Sequence, residues 1–209
     1  MLYHTGFCFG LNLAHLETMY EIHLTTAALA EAQWPAFERF AASIGAKPMV
    51  IELARGTHPV QPMLTLCRAG AIDEVIALAQ RLAGQAAQAG MEVVRCKIEQ
   101  DASPGMPAPA GGRHHYVEWH GRLAVAEHQR VELAALCAPF GAHVSNNAIR
   151  GGDIRYLTLR DPGGLAGLRE RVAHLCELLG ARGWTIQKQQ WESVVFDSNL
   201  LLDAGWLEQ

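Results

Sequence analysis

The chain lacks most of the features that would assign it quickly, and each lack removes a class of function. No apolar run reaches the roughly 18 residues that a membrane-spanning helix needs, although half of the 209 residues are hydrophobic. Residues 1–18 carry no basic stretch, long apolar stretch and small-residue cleavage site in succession, so they do not read as a secretory signal peptide. Because Met19 stands directly before the first clear strand, they are expected to lie outside the core as an N-terminal extension. Cys8, Cys67, Cys96, Cys137 and Cys176 are odd in number and contain no Cys-x-x-Cys pair, which removes the usual cysteine zinc and dithiol redox motifs. Five reduced cysteines packed as small apolar residues in a cytoplasmic protein are the expectation. Positive charge is also short: 17 Lys and Arg against 21 Asp and Glu give a net charge of −4. Nucleic-acid binders usually show a basic patch or stripe, so neither a nucleic acid nor a membrane is expected as partner.

What is present is enough apolar residue for a real core, in a length that suits one unit or two of about 100 residues. The one low-complexity stretch, Asp101-Ala-Ser-Pro-Gly-Met-Pro-Ala-Pro-Ala-Gly-Gly112, sits near the midpoint and reads as an exposed linker. The division is then an extension at 1–18, a first unit at 19–100, the linker at 101–112, a second unit at 113–196 and a tail at 197–209. In the first unit Tyr20 to Thr25 reads as a strand, and a helix follows from Pro35 with Phe37, Phe40, Ala41 and Ile44 on one stripe. Pro48 to Leu53 and Met63 to Cys67 read as strands. A second helix, Ala71 to Ala89, stops at Gly90, and Met91 to Glu99 alternates Val94, Cys96 and Ile98 against Arg95, Lys97 and Glu99. The second half repeats the order with Tyr116 to Arg122, Val125 to Cys137, His143 to Asn146, Tyr156 to Arg160, Leu165 to Leu179 and Trp184 to Trp191. Gly45-Ala46 answers Gly141-Ala142, Arg55-Gly56 answers Arg150-Gly151, and Thr65-Leu66 answers Thr158-Leu159.

Strand, helix, strand, strand, helix, strand resembles the ferredoxin-like fold. The expectation is therefore an internally duplicated α+β chain of two tandem ferredoxin-like βαββαβ units, with antiparallel sheets and helices on one face. The resemblance concerns fold, and fold alone does not imply function.

Each half opens with a strand carrying Glu-x-His, Glu21-Ile22-His23 and Glu118-Trp119-His120. Residues two apart on a strand share a face. Tyr20, Ile22 and Leu24, then Val117, Trp119 and Leu123, belong under the helices, leaving Glu21, His23, Thr25, Glu118, His120 and Arg122 on the open faces. Thr65, Cys67, Thr158 and Arg160 join them from the third strands by position in the repeat. If the open faces meet in a cleft, Glu21, His23, Glu118 and His120 form a candidate site. As metal ligands they suit Zn, Mn or Fe(II); without metal they serve as general acids and bases. Thr25, Thr158 and Arg160 are the expected ligand contacts, Arg160 as partner of an anion. The Arg150-Gly151 turn, with Ser145 nearby, offers guanidinium and amide donors to an anionic small molecule.

His23-Leu24-Thr25 and His143-Val144-Ser145 together resemble the paired His-x-Ser/Thr signature of the 2H phosphoesterases. That resemblance implies His23 and His143 as general base and acid at a phosphodiester, with Thr25 and Ser145 holding its oxygens. An RNA surface on an open sheet face would need stacking aromatics on the central strands, where only Tyr156 falls. The tail, with Leu200, Leu201, Leu202 and Trp206 between Asp197, Asp203 and polar caps, is expected to pack on the body or across a homodimer seam, and Asp197 and Asp203 are within reach of the cleft. Three readings stay open: a cytoplasmic small-molecule enzyme or anionic-ligand binder, a non-catalytic binding or regulatory module, and a 2H-like phosphoesterase.

Overall fold

The computed structural model describes residues 18–106, 115–149 and 152–206. Eight strands and four helices follow in the order β1 (Met19–Thr26), α1 (Trp34–Ser43), β2 (Lys47–Leu53), β3 (Val60–Ala69), α2 (Ile72–Gln88), β4 (Val93–Asp101), β5 (Tyr116–Ala124), α3 (Arg130–Cys137), β6 (Ala142–Asn147), β7 (Ile154–Asp161), α4 (Leu165–Ala181) and β8 (Lys188–Asp197). Period-two alternation divides each strand between two environments. Tyr20, Ile22 and Leu24 pack with Phe37, Ala41, Val75, Ala79 and Leu82 of α1 and α2 in one core. Trp119, Leu123, Leu157 and Leu159 pack with Leu133, Leu168, Val172 and Leu175 of α3 and α4 in another. Gly90, at φ 81°, takes the left-handed turn that ends α2 and lets Met91 enter the core, where it is 1% exposed.

The strands form one closed antiparallel barrel in the order β1-β3-β2-β6-β7-β5-β8-β4. This corrects the expectation of two tandem ferredoxin-like units with separate sheets, and with it the reading of the chain as a duplicated self-contained unit. Two separate sheets would leave β2, β4, β6 and β8 as edges with unpaired backbone groups. Instead β2 pairs with β6 through Ile51↔Asn147, Glu52↔Asn146 and Leu53↔Ser145. On the other side β4 pairs with β8 from Lys97↔Asp197 to Asp101↔Glu192, with a bulge between Ile98 and Glu99. The polar faces are consequently the inside of a single barrel, and the helices pack outside it.

A local clearance shapes β5. A Cβ at Gly121 would stand 2.2 Å from Cη2 of Trp119, so only glycine lets that fully buried indole lie along its own strand. Cys96, Cys137 and Cys176 are free thiols, but Cys67 is disulfide-bonded, which corrects the expectation of five reduced cysteines. Cys8, the extension at 1–17, and linker residues 107–112 lie outside the described residues. Among the described residues no helix is long and apolar enough to cross a membrane.

Candidate functional site: the barrel interior

The barrel encloses a cavity of about 400 Å³ with two unlike walls. Met49, Ile51 and Leu53 of β2 and Met63 of β3 make an apolar wall, extended by Trp206. Facing residues of β1, β4, β5, β7 and β8 are ionic or hydroxylic, among them Glu21, His23, Lys97, Glu99, Glu118, His120, Thr158 and Glu192. A concave, half-open chamber lined by apolar groups and convergent polar ones suits a small molecule.

Two hydrogen-bonded chains of the same composition stand on the ionic wall. In one, His23 Nδ1 is 2.9 Å from Thr65 Oγ1 and its Nε2 is 2.6 Å from Glu99 Oε2. In the other, His120 Nδ1 is 3.0 Å from Thr158 Oγ1 and its Nε2 is 2.9 Å from Glu192 Oε2. Strand register builds both, since His23 lies opposite Thr65 and His120 opposite Thr158. The side chain of His120 is 28% exposed while that of Glu192 is 4% exposed, so the imidazole edge is the open part of its pair. Lys97 joins the chains: its Nζ lies 2.5 Å from Glu99 Oε1 and 3.0 Å from Glu118 Oε2. Arg160 Nε donates to Glu118 Oε1 at 2.9 Å.

The electrostatics follow from burial opposed by partners. Burial disfavours the charged imidazole of His120, but Glu192 and Glu118 outweigh it and push the pKa up to about 10. Burial and the neighbouring Glu99 carboxylate raise Glu192 to about 7, against the pull of His120. Glu99 goes the opposite way despite burial, held well below the usual carboxylate range by Lys97 and His23. Glu118 is likewise held down by Lys97 and Arg160. Burial raises Glu21 with help from Glu99, and its Oε2 is buried with no hydrogen-bond partner among the described residues.

One end of the barrel is closed by the segment after β8. Asp203, inside the barrel, accepts from Arg95 Nη1 at 2.9 Å and from Arg160 Nη2 at 2.7 Å, and Asp197 accepts from the Tyr116 hydroxyl at 2.6 Å. Trp206 packs on Leu53 and stacks obliquely on His143 at 5.5 Å between ring centroids. Asp203→Ala leaves two buried guanidiniums short of an acceptor and is expected to cost about 2–3 kcal/mol, read from urea unfolding, with protease cleavage appearing near residue 200. Unchanged stability and cleavage would show that the tail is held by its apolar contacts alone.

The candidates read from the sequence do not form one cluster. His120, Glu118 and Thr158 meet around Glu192 and Lys97; His23, Glu21 and Thr25 line the same cavity from β1. Arg160 and Ser145 line it too, but the Arg160 guanidinium is already held by Glu118 and Asp203. Arg150 lies outside the described residues. His143 stands on β6 against Arg55 Nη2 at 3.3 Å and Trp206, whereas His23 is engaged by Thr65 and Glu99. The 2H phosphoesterase resemblance therefore finds no support, because its two histidines are tied into different neighbourhoods. Among the described residues, Glu99, Glu118, His120 and Glu192 offer ligand atoms that all lie within 4.8 Å of one another, close enough for one metal ion to draw together. Glu99 and Lys97 were on the polar side of an alternating strand in the sequence; Glu192 follows directly on the strand end read at Trp191.

No protein-family model matches the chain, and no curated protein matches it. Among solved structures it is similar to a candidate monooxygenase from Lactobacillus acidophilus at 11% identity and a TM-score of 0.34, covering 92% of this chain and all of that one (100%). A candidate monooxygenase from Fusobacterium nucleatum matches at 7% identity and a TM-score of 0.37, covering 92% and 97%. A mutant chlorite dismutase from Candidatus Nitrospira defluvii matches at 9% identity and a TM-score of 0.32, covering 91% and 96%. At these scores the likeness carries no argument about chemistry.

Proposed function

We propose that the barrel interior binds a small molecule and that Glu192 exchanges a proton with it, His120 and Thr158 holding the carboxyl in place. The observation that carries this reading is the Thr158–His120–Glu192 chain on the cavity wall, its carboxyl buried and its imidazole edge open, with Glu192 raised to about 7. A general acid or base works best with a pKa near the operating pH. As carboxylate, Glu192 takes a proton from the bound molecule while the imidazolium of His120 balances the charge; as acid it returns one. The apolar wall holds the rest of the molecule.

Stability gives a check that needs no substrate. Both Glu192 and His120 have folded pKa values above their ordinary ones, near 4.3 and 6.5. Such groups contribute fully below the ordinary value and lose that contribution as pH rises through the folded one. Stability is expected to fall as pH rises in two overlapping steps, on the order of 1.4 kcal/mol for each tenfold gain in proton affinity on folding: a lower one for Glu192, running from its ordinary value and complete near 7, and an upper one for His120, running from its ordinary value and complete near 10. Urea unfolding across this range reads it, and Glu192→Gln is expected to remove the lower step. Once a turned-over molecule is found by screening, the same variant is expected to lose turnover. A variant as active as its parent would take Glu192 out of the role.

A divalent metal on Glu99, Glu118, His120 and Glu192 is the second reading, favoured by their convergence within 4.8 Å. Mixed nitrogen and oxygen ligands suit Zn, Mn or Fe(II). The Lys97 ammonium, in contact with two of the four, would have to withdraw. Stoichiometric transition metal in protein purified without chelator would put this reading in place of the first.

A further inference from the structure

Resting on the reading of the interior as a small-molecule chamber, we infer that the molecule is an amphipathic anion whose oxyanion group sits between Arg122 and Lys188. These residues are directly opposite in the β5–β8 register, and both line the cavity. Like charges directly opposite across a strand pair destabilise it. Arg122 and Lys188 are half-buried, whereas the lumen cations whose side chains are mostly buried each stand against carboxylates: Arg95 against Asp197 and Asp203, Arg160 against Glu118 and Asp203.

Arg122 has no carboxylate among the described residues. Its Nη2 donates to the neutral Gln187 Oε1 at 3.2 Å, and its Nε is buried without a hydrogen-bond partner. A guanidinium has five donors in a planar fork that matches a carboxylate, phosphate or sulfonate. Lys188 faces Glu21 as well as Arg122, and burial together with Arg122 pulls its ammonium below the ordinary lysine value against Glu21. A bound oxyanion relieves the repulsion and takes up the idle donor in one step.

The rest of the molecule is set by distance. Arg122 is two residues beyond His120 on the same face of β5, about 7 Å away, and Lys188 is four residues from Glu192 on β8, about 14 Å, at roughly 3.4 Å per residue. An anion held at Arg122 and Lys188 therefore extends its body along β5 and β8 past His120 toward Glu192. Met49, Ile51 and Met63 line the same cavity and supply its apolar surface. The ligand class is an apolar body of about that length with one oxyanion at its end.

Two dyes sharing one body separate the oxyanion from the body: 1-anilinonaphthalene-8-sulfonate and its neutral counterpart N-phenyl-1-naphthylamine. Fluorescence titration of the full chain is expected to show one sulfonate dye per chain, bound about tenfold or more tighter than the neutral dye, the size of one charge-assisted contact. Arg122→Gln and Lys188→Gln, made separately, are each expected to weaken the sulfonate dye about tenfold and leave the neutral dye within about twofold. Retained neutral-dye binding shows that the chamber is intact in each variant. Equal affinities for the two dyes in the parent chain, or parallel losses of both in the variants, would overturn the anion site while leaving the chamber. Failure of both dyes to bind the parent chain removes the chamber reading, and this inference with it.

Discussion

Lys97→Met is expected to lower stability by about 3–5 kcal/mol at neutral pH, the usual cost of taking one partner from a buried ion pair. The ammonium bridges Glu99 and Glu118 at 2.5 and 3.0 Å, and those carboxylates are 1% and 2% exposed. Methionine fills much of the same space, so the loss is electrostatic rather than a cavity. Each carboxylate keeps another partner, His23 for Glu99 and Arg160 for Glu118, which is why the expected cost stops short of unfolding. Its pH dependence follows from the same contacts. Lys97 heads the favourable interactions that hold both carboxyls below their ordinary range, so without it their pKa values rise. Acidification then protonates them in the variant before the parent, and the deficit shrinks from pH 7.5 toward pH 5. Urea unfolding at the two pH values reads both effects. A deficit under about 1 kcal/mol at pH 7.5 would mean that the pairs behave as exposed ones and that the chamber is wet.

The second large effect is expected at a residue with no side chain. Gly121→Ala places a Cβ 2.2 Å from Cη2 of Trp119, and 2.8 and 2.9 Å from Cζ2 and Cζ3. The indole has little room to retreat, being fully buried, 6.4 Å from the ring of Trp191 and hydrogen-bonded from Nε1 to Gln189 at 3.2 Å. The strand or the core beneath α3 and α4 must shift, at a cost of about 3 kcal/mol, the upper part of the range for overpacking. Because His120 and Arg122 flank Gly121, the shift also moves the ionic wall. Thermal melts and tryptophan fluorescence measure it; a melt within about a degree of the parent's would show that the ring rotates away freely.

Much of the interior was legible as a set of faces before it was legible as an interior. Alternation alone put Glu21, His23 and Thr25 on one side of β1, and Glu118, His120 and Arg122 on one side of β5, opposite the residues now packed under the helices. That step is local, because side-chain direction along a strand has a fixed period. The closure is not local. Joining Leu53 to Ser145 and Gln100 to Ser193 depends on which strand edges find each other, and an edge carries no mark of its partner in one sequence. Partner choice was lost for the same reason. Arg160 read as an open cation, yet Asp203, 43 residues further on, folds in to meet it. His23 and His120 read as one candidate cluster, whereas each carries its own threonine and glutamate, drawn from strands that the register brings alongside.

The two joints that close the barrel also set an order of events in folding. The β2–β6 joint links positions roughly ninety residues apart, and the β4–β8 joint spans about as many. Contacts of such separation form late, because the entropy of closing long loops must be met first. Until they form, the faces bearing Lys97 and Glu118 remain in water and each charge keeps its hydration. Desolvation and pairing then arrive together at closure, so neither half of the chain can mature its ionic wall alone. A polar lumen thus makes the last step of assembly an all-or-none one, in which the chamber exists only when the ring is complete.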